Sequence, residues 1–168
     1  MTPVNQWTNP RTWVGGEQAL AAFFNAHIRD NFTHLKSRPF INGATGVQTT
    51  TSSTFVQMTG SSVNLTTTGG YILFWASGYT YNSVGGASNF ARFDLAIDGI
   101  RQGNATNGTT IVQGTAASYH DNINLMMLTG GGAGGSLLAA GVHTCSIYWN
   151  VSANTQTASL QIFAMEIC

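Results

Sequence analysis

The sequence predicts a mostly β protein, an antiparallel β-sandwich of jelly-roll type preceded by an N-terminal arm and one α-helix. Three observations predict it. About eight strand-like segments follow the first third of the chain at intervals of roughly 8 to 15 residues, with no helical pattern between them. A 3.6-residue period occurs in one place only, between positions 16 and 38. The composition is globular, with 43% hydrophobic residues, yet only 7% of residues are charged, against about 25% in average soluble proteins.

The elements follow in order. Residues 1–15 carry Trp7, Pro10 and Trp13 without periodicity and read as an extended arm. A helix can open near Gly16, with Glu17 placed where the macrodipole favours an acid. Leu20, Phe23, Phe24, Ile28, Asn31, Phe32 and Leu35 then share one broad face with His27. Such a stripe is too apolar to face water and needs a partner. Lys36 and Arg38 suit the C-terminal end, and Pro39 stops the pattern. "PFINGATG", 39–46, packs Pro, Asn-Gly and two glycines into a short span and reads as a linker. The expected organisation is therefore 1–38 arm and helix, 39–46 linker and 47–168 sandwich.

After the linker the period becomes two. Residues 55–58 and 63–65 are short strand candidates flanking "TGSS". "GGYILFWASGYTY" is the strongest strand: Tyr71, Leu73, Trp75, Tyr79 and Tyr81 fall on one face, Ile72, Phe74, Ala76 and Thr80 on the other. With both faces apolar, it belongs deep in a sandwich or at a subunit interface. "FARFDLAID" alternates, with Ala91, Phe93, Leu95 and Ile97 inward and Arg92, Asp94 and Asp98 outward; Asp98–Gly99 then reads as a tight hairpin turn. "TTIVQG" and "YHDNINLMML" continue the pattern, "TGGGAGG" is a loop, and "VHTCSIYWNV" and "ASLQIFAMEI" are the last two long strands.

Composition narrows the function. Net charge is zero with no Lys/Arg cluster, which excludes nucleic acid as a main partner. No apolar run reaches the roughly 18 residues of a membrane span. The start lacks the pattern of a secretory leader, so the chain is expected to be made and kept in a cytoplasm. A surface this poor in charge repels copies of itself weakly, which favours permanent self-association.

Chemistry is sparse. Asp94 and Asp98 lie on one strand about 13 Å apart, wide for a glycosidase pair, and read as solvated strand residues. His120–Asp121 points to opposite faces and offers too few ligands for a metal. His143 shares a face with Cys145, but nothing obvious orients it, and a buried strand cysteine is ordinarily inert. The glycine run has no following Lys-Ser/Thr and no helix, so it is no phosphate loop. The expectation is no catalytic residue, no metal and no cofactor.

Trp7, Pro10, Thr12, Trp13, Val14, Gly16, Glu17, Asn25, His27, Ile28, Arg29, Asp30, Asn31 and Leu35 match, at fixed spacing, a start found in tailed-bacteriophage virion proteins. The first 38 residues resemble that "TWV.GE…N.HIRDN" segment. The remainder resembles, more loosely, the TNF/C1q-type jelly roll that caps many trimeric fibres, through "GGYILFWASGYTY", "FDLAIDG", "GVHTCSIYW" and "SLQIFAMEI".

The resemblance implies a non-enzymatic virion structural protein assembled in the host cytoplasm: a homotrimeric capsid decoration or head-fibre protein bound to major capsid or tail proteins. Attachment or oligomer contacts would fall on Trp7, Trp13, Leu20, Phe23, Phe24, His27, Ile28, Asn31, Phe32 and Leu35. The alternative is a tail-fibre or baseplate component whose sandwich binds a host surface glycan. Trp75, Tyr79, Tyr81, Tyr119 and Trp149 would then be its platforms. Neither reading involves a membrane.

Overall fold

The computed structural model describes residues 12, 15–16, 18, 20–29, 40–86, 88–114, 116–129 and 137–167. The chain separates into two compact units, Met1–Arg38 and Pro39–Cys168. In the first, one α-helical turn, α1 (Ala21–Phe24), runs into a π-helical turn, Asn25–Arg29. Gly16 does not open the helix: its φ of +84° is left-handed, and Leu20, just before α1, is still extended. The remainder of the expected helix, beyond Arg29, lies outside the described residues, as do Trp7, Trp13, Asn31, Phe32 and Leu35.

The second unit is an antiparallel β-sandwich. Its strands are β1 (Phe40–Thr50), β2 (Val56–Gln57), β3 (Val63–Thr67), β4 (Tyr71–Asn82) and β5 (Phe90–Ile97). They continue with β6 (Ile100–Arg101), β7 (Thr110–Gln113), β8 (Asp121–Thr129), β9 (Gly141–Val151) and β10 (Gln156–Ile167). One sheet has the order β1-β10-β4-β8. In the other, β9 and β5 are central; β2 and β3 lie end to end along β9, and β7 and β6 along β5. Both sheets are thus four strands wide.

Alternation explains the core. The inward residues of β4, Ile72, Phe74 and Ala76, meet Ala158, Leu160, Ile162 and Ala164 of β10 and Ile123 and Leu125 of β8. Opposite them stand Ala91, Phe93, Leu95 and Ile97 of β5 and Cys145, Ile147 and Trp149 of β9. Every one of these side chains is essentially excluded from solvent. Gly78 lets β4 and β10 approach: a Cβ there would run into the Ser159 carbonyl oxygen. Asp98 and Gly99 have φ of +52° and +77° and turn β5 into β6 in the expected tight hairpin.

Two expectations are corrected. The segment 39–46 is not a linker, because Phe40–Thr50 is the edge strand paired along β10. Its glycines have strand uses. Gly43 sits where a Cβ would crowd Val63, and Gly46, at φ +64°, carries the bulge that shifts the register between Ala44 and Val47. The second correction concerns Asp94. It does leave the core face of β5, but the segment after β6 folds over it and leaves it 0% exposed. Its Oδ1 accepts from the Gly103 amide and the Thr109 hydroxyl, both at 2.8 Å, while Arg101 Nη1 approaches Oδ2 to 3.2 Å. Arg101 is itself held by the Ala105 carbonyl at 2.7 Å and by the Phe55 ring, 3.8 Å beneath its guanidinium carbon. This charge pair folds a loop.

Candidate functional site

The outer face of the β1-β10-β4-β8 sheet is the candidate. Register assembles it row by row. Phe163, Trp75 and Met126 are directly paired across β10, β4 and β8; Phe40, Met165, Leu73 and Leu128 form the next row, and Ile167 pairs with Tyr71 beyond it. Phe163 lies between two aromatic neighbours, stacked on Phe40 at 5.8 Å and edge-on to Trp75 at 6.4 Å. Much of this surface is open to water: Met126 is 71% exposed, Phe40 63%, Leu128 56% and Trp75 45%. Contiguous apolar surface of this kind marks an interaction site more often than an accident of folding.

Further along the same strands the face turns polar. Gln161, Ser77 and Asn124 form one row, and Ser159, Tyr79 and Asn122 the next. At that end the His120 ring is parallel to both Tyr79 and Tyr81, with centroids 4.8 and 4.6 Å away. Across both halves of the face no residue of these rows carries a formal charge.

The expected platform residues therefore divide. Trp75, Tyr79 and Tyr81 share the face, and Tyr119, 58% exposed, immediately precedes His120. Trp149 does not belong with them. It is 2% exposed and packs on Phe93 with ring centroids 5.9 Å apart, since its parity on β9 sends it into the core. A stacked His120 also occupies ring surface of Tyr79 and Tyr81 that a sugar would need. In the first unit, Leu20, Phe24 and Ile28 are 49%, 46% and 42% exposed; the side chains of Phe23 and His27 lie outside what the structure describes.

Sequence reasoning missed Phe40, Met126, Leu128, Phe163 and Met165. The signal was present in the strands "NLMML" and "IFAMEI", which are apolar at consecutive positions as β4 is, and a strand with one face in the core must show the other half of such a run outside.

A second cluster occupies one end of the sandwich. Asp98 Oδ2 and His143 Nδ1 are 2.7 Å apart, and the Thr144 amide donates to Asp98 Oδ1 at 2.8 Å. His143 Nε2 lies 2.9 Å from the Ala139 carbonyl oxygen. Burial pushes the Asp98 carboxyl upward, but the bonds from His143 and the Thr144 amide and the imidazolium charge outweigh it, and the net direction is down. Burial likewise pushes His143 down, but its bonds to Asp98 and Ala139 and the charges of Asp98 and Glu166 outweigh it, and the net direction is up. So His143 does have an orienting carboxylate, which the sequence did not disclose. That does not activate Cys145: burial first, then the Asp98 charge, push its thiol up to about 12.

Among the described residues no group of three or more His, Cys, Asp or Glu is placed to hold a metal ion, and no helix is long and apolar enough to cross a membrane.

What fold and face define is a class, an antiparallel sandwich presenting one uncharged, half-apolar sheet face. No family model and no curated protein matches the chain. Among solved structures it is similar to the Eiger TNF of S. frugiperda, with 10% identity, 78% of this chain and 94% of that chain covered, and a TM-score of 0.38. That likeness is too distant to argue from.

Proposed function

We propose that this chain is a bacteriophage virion structural protein, a homotrimer whose N-terminal segment attaches it to the particle and whose sandwich is a jelly roll. The observation that carries the self-association is the uncharged outer face with its rows of Phe40, Leu73, Trp75, Met126, Leu128, Phe163 and Met165. A second copy matches such a face well: it brings the same apolar rows, and no charge is desolvated when the faces meet. The strand order supports the jelly-roll reading, because the chain alternates between two four-wide sheets with its first and last strands adjacent. The virion assignment rests on the "TWV.GE…N.HIRDN" resemblance, and the exposed Leu20, Phe24 and Ile28 are consistent with an attachment role. A capsid decoration or head-fibre position is the leading one. The tail-fibre alternative with glycan binding retains Trp75 and Tyr119 as platforms, but loses Trp149.

The test is direct. The purified chain should be trimeric by light scattering, and antibodies to it should label virions. Removal of residues 1–38 should abolish particle binding while the sandwich stays folded. A stable monomer whose antibodies leave virions unlabelled overturns the reading, and particle binding that survives the deletion moves the anchor elsewhere.

A further inference from the structure

The Asp98–His143 cluster sits where three chain segments close one end of the sandwich. The β5–β6 turn is tied to β9 by the Asp98 amide, which donates to the Thr144 carbonyl at 2.8 Å, and by Thr144's amide bond back to Asp98. The segment leading into β9 is tied down separately. Leu138 donates its amide to Gly70 at 3.0 Å, and the Thr67 hydroxyl donates to Ala139 at 3.2 Å. Among the described residues, the His143 side chain joins the two, with one ring nitrogen on the turn and the other on the segment.

Both of those partners are acceptors. A carboxylate oxygen and a backbone carbonyl oxygen have no proton to give, so a neutral imidazole can satisfy only one of them. The other nitrogen would then turn a lone pair toward an oxygen under 3 Å away. Only the imidazolium makes both bonds.

The geometry points to His143 as a proton-operated latch, which when protonated pins the segment Leu138–Gly141 to the β5–β6 turn and on losing its proton releases it. The groups facing the ring are few. Asp98 stands on the turn and Glu166 of β10 contributes its charge; β3 presents Leu65 opposite, and Cys145 on the same strand is a neutral thiol. Both carboxylates favour the cation. The sign follows: with its folded pKa raised above the ordinary 6.5, His143 contributes the latch fully below that ordinary value. The contribution disappears as pH rises through the raised one. Asp98 sets the other limit, since its depressed pKa keeps it a carboxylate until strongly acid pH. The latch therefore holds in mild acid and opens on the alkaline side.

Linkage makes this quantitative. Each unit by which the closed latch raises the His143 pKa makes opening about tenfold easier once the proton has gone. Nuclear magnetic resonance of the full chain reads both sides of that equality. Ring nitrogen shifts should show His143 doubly protonated in mild acid and titrating above 6.5. Amide exchange at Leu138 should accelerate through the same pH beyond the base-catalysed rise, by the factor that the measured pKa implies, while the Gly86 amide, bonded to the Gly114 carbonyl at the opposite end of β5, shows no such step. In His143→Gln the step should vanish. In Asp98→Asn, which keeps an acceptor for the Thr144 amide, the His143 pKa should fall and the step should move with it. Titration at or below 6.5, a step that persists in His143→Gln, or one that stays in place in Asp98→Asn overturns the latch.

Discussion

Met126→Glu tests whether the open sheet face is where copies meet. Met126 is 71% exposed on the edge strand β8, at the end of the row that Trp75 and Phe163 continue, so the change removes nothing from the core of the protomer. Fully burying a methionine side chain contributes about 1.5 to 3 kcal/mol, so covering the exposed part of this one is worth about 1 to 2 kcal/mol per copy. A trimer loses that three times, about 3 to 6 kcal/mol. Three carboxylates brought into a dry, uncharged contact add a further penalty, because the face offers no cation to pair with them. At 1.4 kcal/mol per tenfold, the apolar term alone weakens assembly by about two to four orders of magnitude. Light scattering across a dilution series, with circular dichroism to confirm an intact fold, reads the effect. Ile111→Glu is the matched control: Ile111 is 49% exposed on β7, in the other sheet. A Met126→Glu chain that stays assembled at every concentration at which the parent does, or an Ile111→Glu chain that falls apart equally, refutes the assignment of the face.

Other outcomes follow from the same contacts. Asp94→Ala strands the Gly103 amide, the Thr109 hydroxyl and the Arg101 charge; because Arg101 is 23% exposed, the loss should fall near the low end of the range for a broken buried pair, about 2 to 4 kcal/mol by denaturant unfolding. The two tryptophans should separate cleanly: Trp149→Ala should cost about 3 to 5 kcal/mol of protomer stability, and Trp75→Ala well under half as much, with its effect appearing in assembly instead. Cys145, buried and with its thiol pushed up to about 12, should resist alkylation at pH 8 until denaturant is added, as peptide mapping would show. Gly78→Ala should destabilise by about 1 to 3 kcal/mol, since the β4–β10 contact must open to admit the methyl group.

How far the sequence disclosed this protein depends on the range of the interactions involved. The alternation in "FARFDLAID" specified which residues of β5 enter the core, and that in "GGYILFWASGYTY" sorted β4 into its two faces without telling which is the inner one, because pleat parity is a local property whereas the choice between two apolar faces is not. Trp149 was misread as a platform although the same parity argument, applied from Cys145 and Ile147, places it inside. Non-local features were out of reach. Nothing near Asp94 shows that residues 101–109 will cover it, and nothing near His143 names Asp98, which is 45 positions away. β1 was hidden for another reason. Its glycines imitate a linker, whereas an edge strand tolerates them because only one side must pair.

The shortage of charge in the sandwich now has a structural account that bears on function. Six charged residues remain after position 38, and the fold employs most of them internally. Asp94 and Arg101 hold the loop after β6, Asp98 holds β9 and His143, and Arg92 lies over the Phe90 ring with Asn150 beside it. Glu166, 1% exposed, accepts from both the amide and the hydroxyl of Thr68. Charges used in this way are unavailable to the sheet face, where they would have kept copies apart. A monomer with so large an uncharged apolar surface would be prone to indiscriminate association, whereas a closed symmetric assembly buries that surface once and stops. The distribution of charge, placed on loops and sandwich ends and absent from the paired rows of one sheet face, supports the closed self-association proposed for this chain.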